Sequence, residues 1–153
     1  RFGFEEVAAQ SGRSVYFFGR MLGTFAGALI LTKLSSTKGF LYSAILSIIT
    51  ILLIMIIPAS NAAAWILVFL LGLGVANIFP LVFSLTVQKY PGRSNEISGL
   101  MMMAISGGAL IPPVIGLVSD SLGVVPGMGV LLLCTVYLLI VSWIIIRKKL
   151  ADI

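Results

Sequence analysis

Residues 63–87 read AAWILVFLLGLGVANIFPLVFSLTV, a stretch without a single charge. A helix needs about 20 mostly apolar residues to cross the hydrocarbon of a bilayer, and this stretch is long enough. Its polar side chains are not scattered: Asn77, Ser84 and, just beyond, Gln88 fall on one helical stripe. Gly72, Gly74 and Pro80 interrupt the same helix at mid-depth, and Pro80 also lacks the amide hydrogen of a regular turn. An uncharged but interrupted helix with a polar stripe belongs in a membrane and has a face turned away from lipid.

Working outward, four further segments have the same length and apolar character: 14–32, 40–57, 97–118 and 128–146. The joints are short and carry turn residues, such as Ser35-Ser36-Thr37-Lys38-Gly39 and Pro58-Ala59-Ser60-Asn61. Tyr90 to Asn95 and Ser119 to Gly127 make the other two, so consecutive helices run antiparallel. Backbone groups find no water in a bilayer, which makes each segment a helix rather than an open strand. The expected fold is therefore an all-α integral membrane protein with five transmembrane helices.

Composition agrees. Of 153 residues, 59% are hydrophobic and only 10% charged, where soluble domains carry about a quarter charged. A net charge of +5 from so few ionisable groups makes no basic face, which excludes a nucleic-acid binder as well as a disordered chain or soluble enzyme. There is no His, and Cys134 is the single cysteine. Disulfides, the usual zinc sites and Ser-His or Cys-His nucleophiles are thereby excluded, and neither enzymatic activity nor a cofactor is expected. Cys134, mid-span, reads as a small apolar packer. The chain starts at Arg1 rather than Met and is expected to be part of a longer protein.

Charge placement predicts orientation. With alternating helices, Lys33, Lys38, Lys89, Arg93, Arg147, Lys148 and Lys149 share one side, against Arg1 and Arg13 on the other. The basic side is cytoplasmic by the positive-inside rule, and so is the C-terminal tail.

The spans are of two kinds. Segments 40–57 and 128–146 are apolar nearly all round and are expected to face lipid as scaffold. The other three are interrupted. In 14–32, Gly19, Gly23 and Gly27 recur every four residues and make a face for close helix contact, with Arg20 beside them. In 97–118, the run Ser106-Gly107-Gly108-Ala109 precedes Pro112-Pro113, which predicts a bent helix. Each feature has a packing explanation and a functional one: Asn77 is either a hydrogen bond to a neighbouring helix or a contact to a solute, and the double proline is either a fixed kink or a hinge. Arg20 is costly in a span, at least ~2.5 kcal/mol, unless it snorkels, pairs or meets water. The acids Glu5, Glu6, Glu96, Asp120 and Asp152 all fall in loops or at helix ends, so any buried anionic partner of Arg20 would lie outside this sequence. Interrupted helices beside smooth ones point to a solute pathway within a scaffold.

Two blocks carry a family resemblance. One is Ala76-Asn77-Ile78-Phe79-Pro80-Leu81-Val82-Phe83-Ser84-Leu85, continued by Gln88-Lys89-Tyr90 and Asn95-Glu96-Ile97-Ser98-Gly99. The other is Gly107-Gly108-Ala109-Leu110-Ile111-Pro112-Pro113-Val114-Ile115-Gly116 with Ser119-Asp120. Together they resemble the C-terminal half of bacterial sugar transporters of the major facilitator superfamily, in the fucose–proton symporter family. Arg20, Gly23 and Gly27, ahead of the Lys33–Lys38 loop, look like that family's eighth helix. The loop keeps the basic residues of the superfamily signature without its acidic member.

The resemblance implies that the five spans are helices eight to twelve of a twelve-helix protein, whose N-terminal half and seventh helix are missing here. It implies a secondary active transporter of a hexose or related sugar in the bacterial inner membrane, working by alternating access and coupled to H+. Arg20, Asn77, Phe79, Ser84 and Ser106 are the expected substrate contacts. Pro80, Gly107, Gly108, Pro112 and Pro113 are the expected bending or gating positions, and the coupling acid would sit in the missing half. The alternatives are a small standalone structural or regulatory membrane subunit, or an exporter of drug-like solutes.

Overall fold

The computed structural model describes the backbone over residues 6–30, 35–56 and 61–151, and the side chains over 11–29, 35–56 and 62–147. Among the described residues seven α-helices follow one another: α1 (Glu6–Ile30), α2 (Ser36–Ile56), α3 (Asn61–Val75), α4 (Ile78–Lys89), α5 (Ser94–Gly108), α6 (Ile111–Leu122) and α7 (Val124–Ala151), with a 3-10 turn at Pro91–Arg93. No strand occurs among these residues.

Two of the long apolar segments are each split in two, and proline explains both breaks. Pro80 has no N–H for the carbonyl of Ala76, so the helix relaxes at Ala76–Asn77 and restarts with Pro80 in the first turn of α4. The ladder resumes where donors return, with the Leu81 amide on the Asn77 carbonyl at 3.0 Å. Pro112 and Pro113 likewise leave the carbonyls of Gly108 and Ala109 without helical donors. The amides of Ala109 and Leu110 tighten onto the carbonyls three residues back, Ser106 and Gly107, each at 3.1 Å. At Gly123 the chain turns between α6 and α7 with a φ of 99°, a region that favours glycine.

Four stretches among the described residues are long and apolar enough to cross a membrane: Ser36–Ile56, Ala62–Lys89, Pro91–Leu122 and Val124–Arg147. The sequence reading expects five. The remaining helix, α1, is 25 residues long, but Arg13, Arg20 and its four glycines dilute its apolar content.

Packing is uneven. α2 sits centrally, against α3, α4 and α7, while α1 lies along α3 and α6 along α7. The core forms where Phe40 of α2 meets Ile78 and Leu81 of α4, with Leu138, Val141 and Ile145 of α7 around them. Lipid chains are as apolar as leucine, so shape-matched contact rather than expulsion of water holds such helices together. Small residues make that contact possible: Ala44, Ser47 and Thr50 let the neighbours of α2 approach, and all three are buried. Their hydroxyls are satisfied within the helix, Ser47 Oγ donating to the Ser43 carbonyl at 2.9 Å and Thr50 Oγ1 to Leu46 at 2.7 Å. Ser142 of α7, fully buried, donates to Leu139 in the same manner.

The buried stripe covers one face of α2, while Tyr42, Ile49, Leu53 and Ile56 of segment 40–57 stand exposed on another. An apolar surface all round gives no direction, so the central position of α2 follows from its small-residue stripe rather than from its hydropathy. At the other extreme, Ile97 is the one buried residue of α5, and α6 has none. Leu100, Met103 and Leu117 stand about two-thirds exposed or more.

Candidate functional site

A seam of glycines brings the backbones of α1 and α3 into direct contact. A Cβ added to Gly19 would overlap the Phe69 carbonyl oxygen, and one at Gly72 would overlap that of Tyr16. At Gly23 it would sit 2.8 Å from the Ala76 Cβ and 2.9 Å from the Leu73 carbonyl oxygen. The four-residue glycine spacing of α1 therefore serves close backbone approach, and its partner is the glycine-interrupted part of α3.

Asn77 closes this seam. It stands in the break between α3 and α4, makes no side-chain cap for α4, and donates from Nδ2 to the Gly23 carbonyl of α1 at 2.8 Å. Gly27 gives it room, because a Cβ there would overlap the Asn77 amide. Of the two roles open to Asn77 in the sequence, the hydrogen bond to a neighbouring helix is present.

The other expected residues are distributed as follows. Arg20 packs its backbone against Gly72 but carries its side chain outward, exposed, one turn ahead of Gly23. Thr24 donates to the Arg20 carbonyl at 2.9 Å. Arg13, Phe17, Arg20 and Thr24 thus form an exposed stripe on α1, at spacings of four, three and four. Phe79 is 40% exposed and stacks near Phe83, centroids 6.3 Å apart. Ser84 is half-buried and accepts from Gln88 at 2.7 Å, so the polar stripe of 63–87 holds itself together on α4. Ser106 lies on exposed α5 and donates to Met102. Pro80, Pro112 and Pro113 are exposed at their breaks. A Cβ added at Gly107 or Gly108 would meet no atom within 4 Å, so neither glycine serves a close contact. Arg20 and Asn77 therefore meet on one helix pair, Phe79 and Ser84 share α4, and Ser106 stands apart from both.

Beside the seam lies a cavity of about 150 Å³ between α1, α2 and the α3–α4 break. Its floor is Gly23, Gly27 and Gly74, and its wall on α2 runs from Gly39 through Tyr42 and Ser43 to Leu46. Sequence reasoning passed over these α2 residues because the segment looked uniformly apolar. The signal was there in Gly39 and Ser43, small residues one turn apart.

Helices long and apolar enough to span a bilayer, joined by short turns, make this a multi-pass integral membrane protein. The chain is 36% identical over 129 residues to a protein named "Putative glucose/galactose transporter" in Helicobacter pylori (strain ATCC 700392 / 26695), a match covering 81% of this chain and 31% of that one. It is 27% identical over 136 residues to the glucose/galactose transporter of Brucella abortus biovar 1 (strain 9-941), covering 89% of this chain and 32% of the relative. The chain spans about a third of the length of these curated relatives. No family model matches it, and no solved structure does.

Proposed function

We propose that the protein is a secondary active transporter of a hexose or related sugar, acting by alternating access in the bacterial inner membrane with its C-terminal tail cytoplasmic. The observation that carries this reading is the similarity, over four-fifths of the chain, to proteins named for glucose and galactose transport. The resemblance to the fucose–proton symporter family of the major facilitator superfamily points the same way, with α1 as the eighth helix and α7 as the twelfth. Sugars are bound by several neutral hydrogen-bonding groups and an aromatic face. In this reading Ser84, Ser106 and Phe79 supply such contacts, Arg20 adds a charged donor, and Asn77 holds the α1 backbone in place beneath Arg20. The breaks at Pro80 and at Gly107–Pro113 let α4 and α5 tilt against their continuations.

Coupling to H+ needs a buried carboxyl whose charge changes its partner. Glu96 and Asp120, the acids whose side chains are described, are exposed near helix ends. The coupling acid then belongs to the rest of the protein, with Arg20 as its counter-charge.

The test is uptake of labelled glucose and galactose by cells whose own hexose uptake is deleted and which express the full-length protein. Accumulation that a hexose panel competes, and a protonophore abolishes, is expected. Competition by lipophilic cations instead of hexoses would move the reading to an exporter of drug-like solutes. A native polypeptide of only 16.3 kDa would favour a standalone subunit. Arg20→Ala is expected to abolish concentrative uptake while sparing sugar exchange; intact concentrative uptake would remove the counter-charge role.

A further inference from the structure

The cavity between α1, α2 and the α3–α4 break has features that the sugar reading does not use. Tyr42 is its one exposed lining residue, at 58%, so the cavity opens past this ring. Tyr42 belongs to a stripe on α2 with Ile45, Ile49, Leu53 and Ile56, every one of them exposed and apolar apart from the tyrosine hydroxyl. Such a stripe faces lipid chains. One turn toward the start of α2, on the same side, stands exposed Lys38. A lysine followed one turn later by a tyrosine marks the level of the headgroups, where a cation and an amphipathic ring both settle. The cavity begins at that level, at Gly39, and reaches Leu46, about 10 Å further along the helix axis at 1.5 Å per residue.

The interior suits hydrocarbon. Gly23, Gly27 and Gly74 floor it, Leu46, Leu73 and Leu81 add aliphatic wall, and the Asn77 amide nitrogen is already engaged with Gly23. A water molecule needs two to four polar partners to be held, and these walls offer few. We propose that this cavity is a binding site for one acyl chain of an anionic phospholipid, whose phosphate meets Lys38 at the start of α2. The dipole of α2 adds positive potential at that end of the helix. The lipid fills the space that the glycines of α1 leave beside α2, and so braces the α1–α2 pair from the outside. This assignment rests on the membrane-embedded fold and not on the identity of the transported solute.

The experiment uses the full-length protein in liposomes containing a trace of phosphatidylglycerol or phosphatidylcholine with a photoactivatable group midway along one acyl chain. Adducts are mapped by mass spectrometry of peptides. Labelling of Tyr42–Leu46 by the anionic lipid in clear excess over the zwitterionic one is expected. Lys38→Gln should reduce that excess about fivefold, the usual effect of one cation at an anionic surface. Ala26→Leu and, separately, Ser43→Leu fill the cavity and should each remove the label, with unchanged helical content by circular dichroism as the control for folding. Absence of label from the wild-type lining would overturn the proposal, because another part of the protein or a second copy then covers the cavity. Equal labelling by both lipids, or a Lys38→Gln variant indistinguishable from wild type, would overturn it as well. Hexose uptake, measured on the same preparations, reports on the transport reading separately.

Discussion

Gly23→Ala perturbs the seam at its most informative point. The new Cβ would lie 2.8 Å from the Ala76 Cβ and 2.9 Å from the Leu73 carbonyl oxygen, where ordinary contact begins at 3.4 Å. Relieving both moves α1 off α3 by about 0.5 Å locally, because neither backbone atom nor Cβ can rotate aside. A gap of that size forfeits roughly a quarter of the dispersion energy at each neighbouring contact. It also stretches the Asn77–Gly23 hydrogen bond from 2.8 Å to about 3.3 Å, past the range of a good N–H···O bond. Overpacking of this kind costs about 1–3 kcal/mol, and the better helix propensity of alanine returns at most ~1 kcal/mol. A net loss of about 1–2 kcal/mol is expected, read as a lower midpoint for loss of monodisperse full-length protein on heating in detergent. Gly12→Ala, on the same helix with nothing within 4 Å, should be neutral or slightly stabilising. Asn77→Ala should cost about 0.6 kcal/mol in wild type, the average for a hydrogen bond between membrane helices, and almost nothing in the Gly23→Ala background. A Gly23→Ala protein as stable as Gly12→Ala would refute the close-contact argument, and fully additive losses would refute the clasp.

Three other outcomes are expected. The Thr37 hydroxyl is buried with no hydrogen-bond partner among the described residues, so Thr37→Val should raise stability by about 1 kcal/mol; a loss in the same heating assay would mean that the hydroxyl has a partner. Replacing Pro112 and Pro113 together by alanine restores donors for the Gly108 and Ala109 carbonyls and joins α5 to α6; on the proposed transport function, slower sugar uptake with unchanged sugar binding is expected, and wild-type rates would show that the break is only a static kink. Arg93 and Glu96 form an exposed ion pair, with Nε to Oε2 at 2.9 Å; Arg93→Ala should leave the unfolding midpoint within error, since such pairs contribute about 0–1 kcal/mol.

What the sequence made legible follows from how local the chemistry is. A missing amide hydrogen acts within one turn, so the breaks could be read directly, each lying within about one turn before Pro80 or Pro112–Pro113. The glycine spacing of α1 announced a close contact, though not its partner, because several helices offered small residues. Asn77 remained ambiguous for the same reason: an amide in a span needs a partner, and only the fold shows that the Gly23 carbonyl is within reach. The central place of α2 was not legible at all, since its apolar residues surround it evenly and the informative positions are Ala44, Ser47 and Thr50. The direction of Arg20 depends on which face of α1 the glycines commit to α3, and that too is settled by packing.

The pairing of α2 with α7 joins an early helix to the last described one, for Leu138, Val141 and Ile145 pack against the cluster that Phe40 forms with Ile78 and Leu81. During synthesis, the ribosome must deliver about a hundred further residues before the ring of Phe40 acquires that side of its enclosure. A message truncated ahead of α7 yields a chain whose most central helix presents the uncovered side of its Phe40 cluster to the bilayer, a mark by which membrane proteases can sort the unfinished from the complete.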